Sequence, residues 1–506
     1  MIPKPPDYIH RKGNLLTVLP VAASTATQNV PSWRRVVPAV NETCDDVQDD
    51  KLLEQQMAAA FPRPIAMNPH TRADDIPPVP LQEPLTQKVK ARANFNDDRK
   101  KEIKKMREIG SCIRCRMLRK SCSVTTPCVT CGAIDSPRAW KGLPCLRAKL
   151  VDLYQGYMLG LNRVLCLHKI EAIKSEMRFV SGPGKLLVRY FEDAEPIVLS
   201  ILEGDTDNAA IDPSLLGLSS VQVPVKTIIL DDEANDLPTI LEEYVQKGAA
   251  HFFKEEASPI IRSVAMLVHK YSRESGDGLA RNVVDLWMLT TMLAERTTCW
   301  KISAFQNLPQ GSSAYCHGQA AVGLPIDVHT DQQSHTLICS QLQDGLERLA
   351  SKLITHAMNK FEKCMFRPAS LNQFQTFLVA ILLINCVERH SWIFHTWTDE
   401  SRAARWPFEE SPAALVSQAD QVTKLIAFMI KVRNLTSTTT EDTASGILKA
   451  EQPNDEKYAG LFEEVGVTVD FLTQRQDAVF NPDDYRSLDL KYSAVLLLPS
   501  PNPGGT

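Results

Sequence analysis

Six cysteines lie within 34 residues of this 506-residue chain, and they restrict the fold of that segment more than any other feature does. Their spacing is C-x2-C, six residues, C, five residues, C-x2-C, thirteen residues and a last C. A two-residue spacer lets both thiolates of a C-x2-C pair face one point about 2.3 Å away, as a tetrahedral zinc ion requires. We expect metal binding rather than disulfides, because the N-terminus has no signal-peptide pattern and intracellular thiols stay reduced. The cysteines are Cys112, Cys115, Cys122, Cys128, Cys131 and Cys145.

The segment around these cysteines is strongly basic. Residues 99–150 hold fourteen Lys and Arg against three acidic residues, so they carry +11 while the rest of the chain carries −15. A short positive segment in a chain of net charge −4 is typical of a site for polyanions. Its first basic run, residues 99–107, suits phosphate contacts and nuclear import. The alternative interpretation of that run is a solvated helix start.

Residues 110–150 resemble the fungal-type binuclear zinc cluster family. The similarity lies in Cys112-Ile-Arg-Cys115-Arg-Met-Leu-Arg-Lys-Ser-Cys122 and in Pro127-Cys128-Val-Thr-Cys131. The resemblance implies that all six cysteines bind zinc, with two ions per chain, and that Cys112 and Cys128 bridge the two ions. It also implies that the end of the helix after Cys115 enters the major groove of double-stranded DNA and reads a CGG-like triplet.

Basic side chains on and before that helix are the candidates for DNA contact. Arg119 is the candidate for base reading, since an arginine can donate two parallel hydrogen bonds to O6 and N7 of guanine. Lys104 and Lys105, in the preceding basic run, are the candidates for phosphate contact. The other candidates on or beside the helix are Arg114, Arg116 and Lys120.

Two departures from the family pattern keep alternatives open. The last spacer of thirteen residues is longer than usual, and a four-cysteine ribbon with a single zinc would leave Cys145 out of the ligand set. Leu118 stands where a basic residue is common, and together with the long last spacer it keeps open a zinc-stabilised protein-interaction module without sequence-specific DNA binding. We predict a zinc-dependent, sequence-specific regulator of RNA polymerase II transcription, with the interaction module as the alternative.

The rest of the chain predicts a mainly α protein. Residues 1–95 contain thirteen of the 32 prolines, scattered among small and polar residues, and predict a disordered arm. Apolar residues recur at helical spacing from about residue 236, which predicts an all-helical C-terminal regulatory domain over 236–435. The other predicted parts are the basic segment with the cluster (96–150), a connector with little regular structure (151–235), a polar linker (436–456) and a C-terminal segment with a tail (457–506).

Several classes of protein are not expected from this sequence. No apolar run approaches the roughly 20 residues of a membrane-spanning helix, so we expect no membrane contact. No glycine-rich phosphate loop and no cysteine with a recognisable catalytic motif is present, so we do not expect an enzyme. We expect a nuclear protein that contacts the transcription machinery. The leucines after Cys145 do not keep a heptad, which leaves a monomer on a half-site and a homodimer equally open.

Overall fold

The computed structural model describes residues 96–133, 145–205, 227–295, 300–306, 324–367, 372–437, 439–450 and 456–499. All of them lie in the second of two units into which the chain divides, Asn94–Thr506. The predicted disordered arm, the interior of the last cysteine spacer and the end of the C-terminal tail lie outside the described residues.

Helices dominate the described residues. They are α1 (Asp97–Ile109), α2 (Ile113–Leu118), α3 (Val129–Gly132), α4 (Leu161–Glu176), α5 (Leu237–Lys247), α6 (Ala249–Glu255), α7 (Pro259–Ser275), α8 (Gly278–Ala294), α9 (Gln332–Phe366), α10 (Gln373–Thr396), α11 (Glu400–Ala403), α12 (Pro412–Val432), α13 (Glu456–Val465) and α14 (Val469–Gln476). Short 3₁₀ turns occupy Leu150–Leu153, Gly156–Met158 and Ser493–Leu496.

Capping residues set the ends of the helices. Ser258 caps α7 by accepting the backbone N–H of Ile261, and Pro259 occupies the first turn, where its missing N–H costs nothing. Gly276 follows the helix in the left-handed conformation. Asn372 caps α10 in the same way, by accepting the backbone N–H of Gln375.

The core is built around α10, which packs against α7, α8 and α12, while α8 also packs against α9. α10 is long and apolar enough to cross a membrane by length and composition, but 94% of its most apolar stretch is buried inside the protein. Every residue from Phe377 to Ile384 is buried, so side chains on all faces of this helix pack against neighbours. This is the pattern of a central core helix.

An antiparallel sheet lies beside the helices, so the prediction of an all-helical domain is wrong. Its five strands run in the spatial order β3-β2-β1-β4-β5, and β1 pairs with β2 on one side and β4 on the other. Helix α9 packs against β3. The strands are β1 (Arg178–Arg189), β2 (Ile197–Asp205), β3 (Thr227–Leu230), β4 (Lys301–Gln306) and β5 (Leu324–Ile326).

Two segments predicted to be irregular have regular structure. The predicted connector over 151–235 contains α4 and the first three strands. The predicted polar linker over 436–456 contains a two-stranded antiparallel hairpin, β6 (Thr439–Glu441) and β7 (Leu448–Ala450), which packs against α13. Leu448 is buried there, so that an apolar anchor fixes a segment whose composition is mostly polar.

The chain that leaves the cysteine module runs directly into the helical core. Tyr154 and Tyr157 are fully buried; the Tyr154 hydroxyl lies 2.7 Å from His390 Nδ1, and the Tyr157 ring stacks on the same imidazole at 3.6 Å. Gly156 lies between the two tyrosines, where a Cβ would come within 2.7 Å of Phe394 and Tyr154. This segment therefore belongs to the core and is not a flexible tether.

Candidate metal centre and DNA-binding module

The two C-x2-C pairs have the same local structure. Cys112 caps α2 and Cys128 caps α3, and the sulfur of each accepts the backbone N–H of the cysteine three residues later, at 3.4 and 3.3 Å. This turn places Cys115 and Cys131 on the same side as their capping partners. The N–H donors and the helix dipole both favour negative charge on the capping sulfurs.

The two halves bring their sulfurs together. The Sγ atoms of the four C-x2-C cysteines all lie within 4.8 Å of one another. The separations are 3.9 Å for Cys112–Cys128, 3.6 Å for Cys112–Cys131 and 3.6 Å for Cys115–Cys128. Four sulfurs about 2.3 Å from a zinc ion in a tetrahedron stand roughly 3.8 Å apart. The donor set and its spacing are therefore consistent with zinc binding.

The remaining two cysteines join the same group. Cys145 Sγ accepts the backbone N–H of Cys128 at 3.3 Å, and Cys122 packs against the buried sulfurs of the cluster. The long last spacer thus returns the chain to the cluster. Residues 134–144, which form most of that spacer, lie outside the described residues.

The electrostatics of the cluster are consistent with a bound cation. Burial is the main cause that raises the pKa of Cys115 to about 12, and burial also raises the pKa of Cys145. For Cys128 burial acts in the same direction, but hydrogen bonds with Cys131 and Cys115 outweigh it and lower the pKa to about 6. Several adjacent thiolates are compatible only with a positive charge among them, as zinc supplies on binding.

Arg147 fastens the two ends of the cysteine module, and sequence reasoning missed it. Its guanidinium donates to the carbonyls of Gly110 at 2.9 Å, of Thr125 at 2.8 Å and of Ser123. A backbone hydrogen bond from the Ile113 N–H to Leu146 O, at 2.9 Å, also joins the two ends of the module. The one available signal was a basic residue two positions after the sixth cysteine, in a segment where basic residues are common.

The basic residues predicted to contact DNA fall into two groups. Lys104 and Lys105 on α1, and Arg119 and Lys120 just after α2, are exposed. Arg119 itself has a left-handed backbone, with φ of 52°, and ends α2. Arg114 is half-buried and donates to Thr130 O at 3.2 Å, which ties α2 to α3.

Arg116 and the apolar face of α2 contact the helical domain. Arg116 Nη1 lies 2.8 Å from Glu362 Oε1, and its guanidinium lies 4.0 Å from the ring centre of Phe366. Ile113 and Met117 are 4% and 2% exposed and belong to the main apolar core. The structure therefore places Arg116 in a contact between two parts of the protein.

Arg433 also contacts the interface between α2 and the helical domain, and the sequence analysis did not predict it. It follows α12 and donates to Met117 O at 3.0 Å and to Met365 O, so it joins the ends of α2 and α9. Burial is the main cause that lowers the pKa of Arg433, and the nearby positive charge of Arg119 lowers it further. A cation of the helical domain thus stands next to the predicted base-reading residue.

Comparison with known families assigns the helical part of the chain to one of them. The model of the KpeA transcription factor family matches residues 219–496, more than half of the sequence. The chain belongs to the KpeA transcription factor family. This match covers all of the helical domain over residues 236–435 and leaves the cysteine module outside it. The assignment is to a family of transcription factors and not of enzymes.

A short part of the chain is also similar to a curated fungal protein. The satratoxin biosynthesis SC3 cluster transcription factor SAT20 of Stachybotrys chartarum is 29% identical over 109 residues, which are 21% of this chain. The match spans only 15% of that relative's length. None of the solved structures matches this KpeA-family chain at a significant level.

Proposed function

We propose that this KpeA-family transcription factor acts in the nucleus as a zinc-dependent, sequence-specific binder of double-stranded DNA. The observation that carries the proposal is the convergence of six cysteines, four of them with sulfurs within 4.8 Å of one another, inside the most basic segment of the chain. Zinc would supply the positive charge that the thiolates need and would fix the fold of the module.

In this proposal six thiolates hold two zinc ions, and Cys112 and Cys128 are shared between them. Both sulfurs are fully buried, and both accept an N–H donor at a helix start, which suits a thiolate that serves two cations. Each of the three sulfur contacts between the halves includes at least one of the two shared residues: Cys112 with Cys128, Cys112 with Cys131, and Cys115 with Cys128.

The proposed DNA contacts follow from exposure. Arg119 reads a guanine of a CGG-like triplet, Lys120 contacts the DNA beside it, and Lys104 and Lys105 bind phosphates. Arg114 supports this surface indirectly, because its guanidinium is bonded to Thr130 O. The protein binds as a monomer on a half-site or as a homodimer, and regulates RNA polymerase II transcription through the transcription machinery.

A second candidate function is a zinc-stabilised protein-interaction module that does not read DNA. The specific observation in its favour is that Ile113, Arg116 and Met117 of α2 already contact protein, namely the helical domain. Under this alternative the exposed arginines and lysines bind acidic protein partners, and no DNA sequence is preferred.

Metal stoichiometry and DNA-site selection on the full chain test the proposal. Native mass spectrometry should find two zinc ions per chain, and Cys145→Ser should lose or weaken the second ion. Cys364→Ser, which removes a half-buried thiol outside the cluster, is the matched control and should keep both. One zinc that is unaffected by Cys145→Ser would indicate a four-cysteine ribbon. Zinc binding without any enriched DNA sequence would favour the interaction module.

A further inference from the structure

The helical domain holds the face and the end of α2. In the proposed function this helix enters the major groove, so contacts that it makes within the protein bear on DNA binding. Ile113 and Met117 are buried in the core of the domain. Two side chains of the domain, Glu362 and Arg433, make polar contacts with α2.

Glu362 is a buried carboxylate whose two oxygens have different partners. One accepts Arg116 at 2.8 Å and the other accepts the backbone N–H of Leu150 at 2.9 Å, while the residue is only 4% exposed. Phe366, one turn further along α9, faces the same guanidinium. If Arg116 leaves, a buried negative charge loses its cationic partner, which is costly. Arg116 is thus held against α9, and a phosphate would have to compete with Glu362 for its partly exposed guanidinium.

Arg433 contacts a second part of α2, its C-terminal end. It donates to Met117 O, one of the last carbonyls of the helix, and Arg119 follows two residues later. The positive charges of Arg433 and Arg119 repel each other, and the carbonyl contacts of Arg433 offset that repulsion. The domain therefore occupies the end of the helix that the proposed function directs at the bases.

We infer that Glu362, Phe366 and Arg433 are positioning residues that hold α2 in a closed state, and that DNA competes with the helical domain for Arg116 and the end of α2. This inference rests on the proposed DNA-binding function. When only a fraction of the molecules is competent to bind, the apparent Kd rises by the inverse of that fraction. Any substitution that weakens the closed state therefore tightens DNA binding.

Arg433→Gln gives the sharpest test. The zinc-loaded full chain is titrated into a fluorescent 20-base-pair duplex with one CGG triplet, and into the same duplex with the triplet scrambled, with anisotropy as the readout. The substitution removes a positive charge, so simple electrostatics predicts weaker binding, whereas the closed state predicts binding tighter by about five-fold. Arg402→Gln makes the same charge change at an exposed site and should weaken binding slightly or leave it unchanged.

Two further variants separate this effect from general charge and from misfolding. Glu362→Gln should tighten binding by about five-fold, while Glu274→Gln, the same change at an exposed position, should alter it by less than about two-fold. Phe366→Leu keeps the interface apolar and serves if Arg433→Gln does not fold. Hydrogen exchange should be faster in α2 of each tightening variant and unchanged in α10.

The possible outcomes distinguish the inference from the function on which it rests. Binding by Arg433→Gln that is weaker than or equal to wild type, with two zinc ions still bound, overturns the closed state. Tighter binding by Arg433→Gln and Glu362→Gln, with the CGG preference retained, supports it. If neither wild type nor any variant distinguishes the two duplexes, the proposed sequence-specific function fails and the inference falls with it.

Discussion

The cysteine module and the helical domain bury their interiors by different means. In the module, α1 has no buried residue, and the buried side chains at its centre are the sulfurs of Cys112, Cys115 and Cys128. The helical domain instead has a continuous apolar core around α8 and α10. Under the proposed function, a metal stabilises the module and apolar packing stabilises the helical domain. The two apolar residues of α2 that are buried, Ile113 and Met117, lie in the core of the domain.

Zinc removal should give the largest effect and should separate the two parts. Structural zinc contributes on the order of 10 kcal/mol to small domains, so chelation should unfold the module. The helical domain should keep most of its far-ultraviolet circular dichroism, because its core does not include the cluster. Thiol titration with and without a chelator measures the first effect, and circular dichroism measures the second.

The reverse outcome would break the comparison. If chelation removed most of the helical signal, the module would be a necessary part of the domain core through Ile113 and Met117. If the six thiols reacted equally with and without a chelator, the cluster would not hold a metal in solution.

Breaking the buried ion cluster around Arg389 should have the next largest effect. This effect should appear in the helical domain and not in the cysteine module. Arg389 is fully buried and lies 2.7 Å from both Glu256 and Asp489, which connects α10 with the loop after α6 and with the C-terminal segment. Arg389→Met leaves the buried Asp489 without its cation and leaves Glu256 with the more distant Arg486, at 3.8 Å, so we expect a loss of about 3–5 kcal/mol in the free energy of unfolding. Urea denaturation measures it.

The zinc content of the same variant completes that test. The module should keep its metal after Arg389→Met, and Arg402→Met, at an exposed position, should leave the unfolding free energy within about 0.5 kcal/mol of wild type. Loss of zinc from Arg389→Met would mean that the module depends on the domain far more than its own cysteines indicate.

The short-range cysteine spacing made the cysteine cluster predictable, whereas the sheet could not be predicted because its strands are far apart along the chain. The cysteine spacing is a short-range pattern with a specific chemical meaning, and the structure brings the six residues together. The sheet depends on the pairing of β1 with β4, which lies more than a hundred residues later. The glycines of β1, in Ser181-Gly-Pro-Gly, are typical of turns, and in the sheet they lie where the register with β2 shifts between Ser181 and Lys185.

Distance along the chain also explains why the contacts between α2 and the helical domain were not predicted. Arg116 fits a DNA contact by charge and position, but its partner Glu362 is 246 residues away. Arg433 lies 316 residues from Met117. The predictions for Arg119 and Lys120 are compatible with the structure, because both are exposed. Their contact with DNA stays a prediction.

Replacement of Arg119 should have an intermediate effect that is confined to the module. Loss of a two-donor contact to guanine costs roughly 1–3 kcal/mol, so Arg119→Ala should weaken binding to a CGG duplex about 10- to 100-fold and hardly affect a scrambled duplex. Lys104→Ala is the matched control, and it should weaken both alike and reduce the salt dependence of binding. Equal losses on both duplexes for Arg119→Ala would rule out its role as the base reader.

The pH dependence of unfolding should give the smallest effect, and it should come from the helical domain. His390 is fully buried between Tyr154 and Tyr157, and burial lowers its pKa to about 3. In the unfolded chain the imidazole titrates near its ordinary value of about 6.5, so the unfolded state binds more protons below that pH. His390 therefore lowers stability as the pH falls from 6.5 towards 3, by about 1 kcal/mol at pH 5.5.

Comparison with His390→Gln isolates this effect from the buried acids. Burial raises the pKa of Glu347 to about 7 and of Asp285 to about 6, and these groups contribute the opposite trend, a gain in stability as the pH falls. Both acids are present in wild type and variant, so their contribution cancels in the difference. Urea denaturation at pH 7.5 and 5.5 should show that wild type loses about 1 kcal/mol relative to the variant. Parallel losses would mean that His390 is protonated in the fold and that the core around α10 admits a charge.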